Sequence, residues 1–158
     1  MPGLVIRRAD ENDFDLISDV YRLSSLSNAD DREALLANPE VLVFEMGPIR
    51  DGRTRVAVDG GRVVGFATTT LRGEVAELDD LFVDPAWMRR GIGRALVLDA
   101  VSVAAAGGSQ RIEVTANSHA LSFYNSVGFV ATGQVPTRFA PATRMYLDVQ
   151  PRDGTPRR

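Results

Sequence analysis

The sequence predicts an α/β domain whose mixed, mostly antiparallel sheet has six to seven strands and flanking helices. Segments with the apolar pattern of strands alternate with segments of helical apolar spacing. Glycine-containing turns at residues 59–61 and 72–73 join three consecutive strands, which therefore run antiparallel. At 158 residues and 44% hydrophobic, the chain can bury one sizeable core and little more. We therefore expect a single domain over residues 1–150 and a polar, disordered tail over residues 151–158.

The first half of the chain is predicted to contain one strand, two helices and an antiparallel meander. The second helix must stop before a proline, because a residue that precedes proline disfavours the helical conformation. Residues 41–50 are compatible with a strand, a helical turn or a loop. The predicted elements are a strand at 5–7, a helix capped by Asp10 with Phe14, Ile17 and Tyr21 on one face, a helix from Asn28 or Asp30 to before Pro39, and strands at 54–59, 62–71 and 74–83.

The second half is predicted to alternate helices and strands. Glycine residues follow both helices, where the left-handed conformation ends a helix at low cost. The predicted elements are a helix from Gly91 to about Ala106, a strand at 110–115, a helix capped by Asn117 and ended by Gly128, and strands at 129–135 and 144–149.

Composition excludes several classes of chemistry. The chain has no cysteine and no lysine, so it offers no thiolate zinc site, cysteine nucleophile or Schiff-base amine. Its single histidine, His119, makes a histidine-rich metal site impossible, and we expect no metal. The net charge of −3 comes from interspersed charges, so we expect no nucleic-acid partner. No apolar run approaches a membrane span and no signal sequence precedes the first strand, so we expect a cytoplasmic protein without membrane contact.

A strand, a short loop and a glycine-containing helix start follow one another at residues 83–96. Gly91 and Gly93 stand there among three arginines. Glycine lets a backbone approach a ligand closely, and the N–H groups of a first helical turn have no acceptor within the helix. Together with the helix dipole, these groups predict an anion site, most naturally for a phosphate or diphosphate.

Two common phosphate-binding motifs do not fit this segment. The P-loop requires a lysine, which the chain lacks. The Rossmann fingerprint requires a third glycine where Leu96 stands and a tight turn directly after the strand, whereas Pro85 lies in a loop of several residues. A nucleotide-binding oxidoreductase is therefore disfavoured, and it would predict NAD binding.

Residues 88–93 instead resemble the Arg/Gln-x-x-Gly-x-Gly/Ala motif of the GCN5-related N-acetyltransferase (GNAT) superfamily. Met88 departs from the first position of that motif, which removes a side-chain contact but leaves the backbone amides. Farther on, Asn117, Tyr124 and the Gly-Phe pair at 128–129 resemble the closing motif of the superfamily. The resemblance implies the GNAT fold, in which the fourth and fifth strands splay apart in a V.

The resemblance also implies acetyl-CoA as co-substrate. The pantetheine arm would add to the edge of the fourth strand, and the diphosphate would bind the amides of the following loop. Asn117 would contact the pantetheine, cap the next helix, or do both. For each arginine side chain, simple exposure to solvent fits as well as a phosphate contact. The implied donor-binding residues are Leu81, Phe82, Val83, Arg89, Arg90, Gly91, Ile92, Gly93, Arg94 and Asn117.

Direct transfer from donor to acceptor is the chemistry that the resemblance implies. Tyr124 matches the superfamily tyrosine near the CoA sulfur, and we interpret it as the general acid. Glu77 matches the position that serves as base in several relatives. Asp79, on the same face of a regular strand, and Glu113, on the neighbouring strand, are alternatives for the base.

We therefore expect an N-acetyltransferase that acts on a primary amine of a small molecule, peptide or protein. The alternative is a non-catalytic regulatory module that binds acyl-CoA. In the superfamily the acceptor pocket is shaped by segments that correspond to residues 10–38 and 134–146, and neither carries a recognisable code. A homodimer is compatible with the resemblance, although no segment of the sequence indicates an interface.

Overall fold

The structure is a computed structural model that describes residues 3–138 and 140–149. The predicted tail at 151–158 lies outside the described residues. Within them, seven strands form one sheet in the order β1-β2-β3-β4-β5-β7-β6. The strands are β1 Leu4–Arg8, β2 Thr54–Asp59, β3 Arg62–Arg72, β4 Val75–Val83, β5 Arg111–Ala116, β6 Val130–Val135 and β7 Ala142–Asp148.

Helices flank this mixed, mostly antiparallel sheet, and the predicted fold class is confirmed. None of the described helices has the length and apolar character needed to cross a membrane. The helices are α1 Phe14–Leu26, α2 Ala29–Ala37, α3 Gly47–Arg50, α4 Ile92–Ala106 and α5 Leu121–Val127, with single 3-10 turns at Glu11–Asp13, Pro39–Leu42 and Pro85–Trp87.

The described chain divides into two compact units, of which the first comprises the chain up to Thr68 together with Asp80–Val97. In this unit β2 pairs antiparallel with both β1 and β3. Its core contains an aromatic cluster. The fully buried Phe66 ring lies 5.5 Å from Phe82, and Tyr21 meets Phe82 edge-on at 4.9 Å. The end of β4 is therefore anchored by the Phe82 side chain.

The second unit comprises Thr69–Asp79 and the chain from Leu98 onward. Here β5 pairs parallel with the start of β4 and antiparallel with β7, which in turn pairs with β6. The parallel register joins Val75–Leu78 to Arg111–Val114, so it ends before the last residues of β4. The predicted splay of the fourth and fifth strands stays a prediction.

Two local features differ from the sequence expectations. Asp10 caps a 3-10 turn instead of α1: its carboxylate accepts the Asn12 N–H at 2.8 Å, while Asp13 accepts the Asp10 N–H at 2.9 Å. This reciprocal box delays the start of α1 to Phe14. The ambiguous residues 41–50 contain the end of a 3-10 turn, an irregular stretch and α3. The buried side chains in this segment include Phe44 and Ile49, which pack in the core. Their positions in the sequence match neither the spacing of a strand nor that of a helix.

Candidate active site

The loop after β4 contains two residues in the left-handed region of backbone space. Arg89 has a φ of 64° and Gly91 a φ of 80°. A non-glycine residue with this conformation costs about 1–3 kcal/mol and tends to mark a functional site. Left-handed residues within a turn bring neighbouring N–H groups to one side, as in the concave nests that bind anions.

Helix α4 adds further backbone donors to this loop. The N–H of Ala95 donates to the Gly91 carbonyl at 3.0 Å. Ala95 is the first residue of this segment whose N–H is bonded within the helix. No carbonyl within the helix accepts the N–H groups of the three preceding residues, Ile92, Gly93 and Arg94. They form the positive end of the helix dipole. The start of α4 therefore has the geometry and charge that suit a diphosphate.

Buried Asp84 holds the beginning of the loop. Its N–H donates to the Val64 carbonyl and its carboxylate accepts the Ala86 N–H, both at 2.9 Å. The side chain is also 3.4 Å from Arg62. Asp84 is only 5% exposed, so these bonds satisfy a group that burial would otherwise penalise. The loop is thereby tied to β3.

The three arginines of the predicted donor site are all exposed. The Arg90 guanidinium lies 4.6 Å from the centre of the Trp87 ring, a cation–π contact. Trp87 thus packs within the loop and orients Arg90. Arg89 and Arg94 project from the loop and from the first turn of α4.

Gly65 is a positioning residue that the sequence reasoning missed. A Cβ atom added to it would lie 3.0 Å from the Phe82 carbonyl oxygen and 3.1 Å from the Leu96 side chain. The absence of a side chain therefore lets β3 approach both the end of β4 and the first turns of α4. An isolated glycine inside a strand pattern was the available signal, because it often marks a close backbone approach.

Glu77, the predicted base, lies in an ion-pair cluster in the second unit. Arg144 on β7 donates to both oxygens of Glu77, at 2.7 and 3.0 Å. The same guanidinium donates to Glu113 Oε1 at 2.6 Å and to the Thr115 hydroxyl at 2.8 Å. Two of the three candidate bases are thus brought together by one arginine, which the sequence reasoning did not identify.

The surroundings of Arg144 favour its charged form. Its pKa is raised, first by the hydrogen bond to Glu77 and then by the bond to Glu113, while burial opposes the shift. The three side chains are partly buried, with 25% of Arg144, 19% of Glu77 and 30% of Glu113 exposed. A guanidinium is well suited to such a site, since its planar fork matches carboxylate oxygens.

Asp79, the third candidate base, accepts a hydrogen bond from the Thr70 hydroxyl on β3. In β4, Ala76 and Leu78 are buried while Glu77 and Asp79 are not. The strand is therefore regular as far as Asp79, and the two carboxylates share a face, as predicted. The alternation ends beyond this residue, where Asp80, Leu81 and Phe82 are all of intermediate exposure.

Tyr124 lies on α5 and is 5% exposed. Its ring packs against Phe123 and Phe129, each at 5.2 Å and nearly perpendicular. Burial raises the pKa of its hydroxyl above the ordinary value of 10.0. The hydroxyl therefore stays protonated throughout the neutral range and can donate a hydrogen bond or a proton.

Asn117 was predicted to cap the following helix, but it caps the turn that precedes α5, since α5 begins at Leu121 and its N-cap residue Ala120 makes no side-chain cap bond. The Oδ1 atom of Asn117 accepts the N–H groups of His119 and Ala120, both at 3.1 Å. The side-chain NH₂ is not used in these bonds, so capping leaves two donors for a ligand. Gly128 ends α5 with a φ of 114°, the predicted left-handed conformation.

The candidate residues belong to both units of the chain. Leu81–Val83 and the loop through Arg94 belong to the first unit, whereas Glu77, Glu113, Asn117 and Tyr124 belong to the second. Within residues 3–138 and 140–149, no cluster of three or more His, Asp or Glu side chains could hold a metal ion.

Known proteins resemble this chain in sequence and in fold. It is 26% identical over 108 residues to glucosamine 6-phosphate N-acetyltransferase of Trypanosoma brucei brucei, covering 59% of this chain and 74% of that protein. It is 40% identical over 82 residues to N-alpha-acetyltransferase RimI of Mycobacterium tuberculosis, covering 49% of this chain and 51% of that protein. Thus it spans about half the length of RimI.

The fold is similar to that of PaiA N-acetyltransferase from Thermoplasma acidophilum, which was solved in complex with coenzyme A. The TM-score is 0.76 at 19% sequence identity, over 92% of this chain and 98% of that one. A sequence model of the acetyltransferase (GNAT) family matches residues 20–129, which include both motif-bearing segments. Since this match covers more than half of the chain, the protein belongs to the acetyltransferase (GNAT) family.

Proposed function

We propose that this protein transfers an acetyl group from acetyl-CoA to a primary amine of a small molecule, a peptide or a protein. The observation that carries the proposal is the start of α4, where backbone N–H groups without an acceptor in the helix follow a loop with left-handed residues, within the segment that matches the family. This arrangement suits the diphosphate of a CoA thioester.

The donor would be held mainly by backbone groups. In this proposal, the pantetheine arm pairs with the main chain of Leu81, Phe82 and Val83, as an added strand does. The Phe82 ring contributes to the core, so its part in binding is limited to the backbone. The diphosphate binds the amides from Arg89 to Arg94, and the NH₂ of Asn117 reaches the pantetheine.

The reaction would be a direct transfer. The amine nitrogen attacks the thioester carbonyl carbon, a C–N bond forms, the C–S bond breaks, and the electron pair stays on sulfur. A backbone N–H near residues 81–83 stabilises the carbonyl oxygen. Tyr124 donates a proton to the departing thiolate, and the surplus proton on nitrogen passes to a base.

We propose the Glu77–Glu113 pair as that base. Arg144 engages both oxygens of Glu77 but only Oε1 of Glu113. Because Arg144 occupies both oxygens of Glu77, a water molecule would carry the proton from the amine to Glu77. Glu113 Oε2 is not bonded to Arg144, so it is the more accessible proton acceptor of the pair. Exchange of Glu77 or Glu113 for glutamine, compared under saturating acetyl-CoA, would reveal which carboxylate carries this role.

The test is release of CoA thiol from acetyl-CoA with a panel of amines that includes free-amine peptides and glucosamine 6-phosphate. Amine-dependent thiol release, with acetylated amine found by mass spectrometry, supports the proposal. Tight acetyl-CoA binding without turnover of any amine would instead identify a non-catalytic acyl-CoA-binding module. The proposal includes a cytoplasmic location, which fractionation of expressing cells would test.

A further inference from the structure

Glu77 and Glu113 are direct neighbours in the parallel register of β4 and β5. Like charges that face each other across two strands destabilise a sheet. Both side chains are partly buried, which strengthens their repulsion. A carboxylate pair in this position therefore needs a compensating cation.

Arg144 is that cation. It lies opposite Thr115 in the antiparallel register of β5 and β7, and its guanidinium binds both carboxylates and the Thr115 hydroxyl. Two carboxylates and one guanidinium leave one uncompensated negative charge. The four side chains form what we call the three-strand cluster: Glu77, Glu113, Thr115 and Arg144.

Other charged and titratable groups on the same sheet face do not cancel this charge. On β5, Arg111 is engaged by Asp148 at 3.5 Å and stacks on the Tyr146 ring at 3.9 Å. On β4, Asp79 adds a further carboxylate, which is bonded to Thr70. The groups that face the cluster from β4, β5 and β7 are Asp79, Arg111, Tyr146 and Asp148.

We propose that Arg144 is a positioning residue of the acceptor site. It holds the carboxylates of Glu77 and Glu113 side by side, so that the acceptor amine meets a cluster with one net negative charge. This inference rests on the proposed function and extends it to the acceptor, whose reactive group would be cationic in solution. The cluster then attracts the ammonium form and passes to solvent the proton that this ammonium must lose before the neutral amine can attack; the proton released from nitrogen after attack then passes to the same carboxylates.

The proposed positioning role and a purely structural role make different predictions for Arg144→Gln. The positioning role predicts a change in protonation. Without the guanidinium, two adjacent carboxylates cannot both remain charged at low cost, so one of them retains a proton to higher pH. The acid limb of kcat/KM for the amine should then move to higher pH. A purely structural residue would lower the melting temperature without moving this limb.

The first measurement needs neither acceptor nor turnover. Carbon-13 labelling of glutamate side chains follows the carboxyl titrations of the full chain by NMR. We expect Arg144→Gln to add a carboxyl titration at higher pH, and Arg144→Lys to remove most of this change because the charge returns. The matched control is Arg111→Gln, which removes the neighbouring guanidinium on the same face and should leave the Glu77 and Glu113 titrations in place.

The second measurement uses an amine that the panel identifies as acetylated. Arg144→Gln should shift its pH profile, while acetyl-CoA affinity by calorimetry stays within about twofold of wild type. Unchanged carboxyl titrations and an unchanged pH profile in folded Arg144→Gln would overturn the proposal. If the wild type acetylates no amine, the proposed function is wrong. The NMR titration still tests the effect of Arg144 on the two carboxylates, because it needs no acceptor.

A second variant covers the case in which Arg144→Gln does not fold. Glu113→Gln keeps the shape of the side chain and leaves Arg144 paired one-to-one with Glu77. It removes the surplus negative charge, so the KM for the cationic amine should rise about tenfold without a new carboxyl titration. An unchanged KM in this variant would overturn the proposed role of the cluster charge.

Discussion

Burial has two opposite effects on Tyr124 as the proposed general acid: it keeps the hydroxyl protonated, and it makes release of the proton more difficult. Its ring is packed between Phe123 and Phe129, and burial raises the pKa of the hydroxyl. The hydroxyl is therefore fully protonated when the thiolate leaves. A raised pKa also makes proton release from Tyr124 more difficult, so a hydrogen bond that strengthens as charge develops on sulfur would precede the proton transfer.

Removal of this hydroxyl tests the role directly. Tyr124→Phe keeps the aromatic contacts, and we expect kcat for amine acetylation to fall by about a hundredfold. Acetyl-CoA affinity, measured by calorimetry, should stay near the wild-type value because backbone groups hold the donor. A kcat equal to that of wild type would show that Tyr124 is only a packing residue.

The same substitution has a consequence for stability at high pH. Because the folded-state pKa of Tyr124 is raised, the neutral hydroxyl stabilises the fold fully below the unfolded-state value near 10.0, and this contribution is lost as pH rises toward the folded-state value. Urea unfolding from pH 8 to 11 should therefore show a weaker loss of stability above pH 10 in Tyr124→Phe. An identical alkaline slope in both proteins would contradict the buried ionisation.

At the scale of elements, the candidate donor site depends on the junction of β3, β4 and α4. Asp84 bonds the loop to β3, Phe82 anchors the end of β4, and Gly65 leaves space for both β4 and α4. The backbone donors are local to α4, but their placement relative to β4 depends on these contacts. Two glycine substitutions separate these contributions.

Gly91→Asp tests the anion site with a matched control. Gly91→Ala imposes the same left-handed strain, because Gly91 has a φ of 80° and an added Cβ meets nothing within 4 Å. The aspartate adds a negative charge beside the proposed diphosphate. We expect Gly91→Asp to bind acetyl-CoA at least about tenfold more weakly than Gly91→Ala in calorimetry. Equal affinities would place the diphosphate elsewhere.

Gly65→Ala tests the approach of the strand to α4. The added methyl would lie 3.0 Å from the Phe82 carbonyl oxygen, so backbone must shift. We expect a loss of about 1–3 kcal/mol in unfolding free energy, together with weaker acetyl-CoA binding. Gly133→Ala on β6 is the control, since an added Cβ there meets nothing within 4 Å. Equal stability of the two variants would contradict the close approach.

For the whole molecule, donor binding should appear as thermal stabilisation. A ligand that binds only the folded state contributes about 2.7 kcal/mol at one hundred times its dissociation constant. For a chain of 158 residues this corresponds to a rise in melting temperature of roughly 5–10 °C. Scanning calorimetry with acetyl-CoA should show this rise, whereas NAD should not. Stabilisation by NAD and not by acetyl-CoA would favour a nucleotide-binding oxidoreductase instead.

Two expectations about the whole molecule stay predictions. One is the single domain over residues 1–150, and the other is the homodimer that is compatible with the resemblance. Light scattering coupled to size-exclusion chromatography gives the mass of the particle in solution. A mass of 17.2 kDa would identify a monomer and contradict the dimer.

Features set by neighbours in sequence could be read before the structure was known. The hairpin turn at 59–61 and the left-handed Gly128 follow from the conformational preferences of single residues and their immediate neighbours. The same preferences predicted the glycine-containing loop before α4, which we propose as the diphosphate site. By contrast, residues 41–50 had no clear period, because their buried side chains fit an aromatic core assembled from distant segments.

The sequence by itself therefore determined the order of elements, the family motifs and the helix start that we propose as the anion site, since backbone donors at a helix terminus depend on local conformation alone. Only the tertiary structure decided that Arg144 joins Glu77 to Glu113 and that Gly65 lies against Phe82. Glu77 and Arg144 are 67 residues apart in the chain. Their contact depends on the register between strands, and register is set by the packing of the whole sheet.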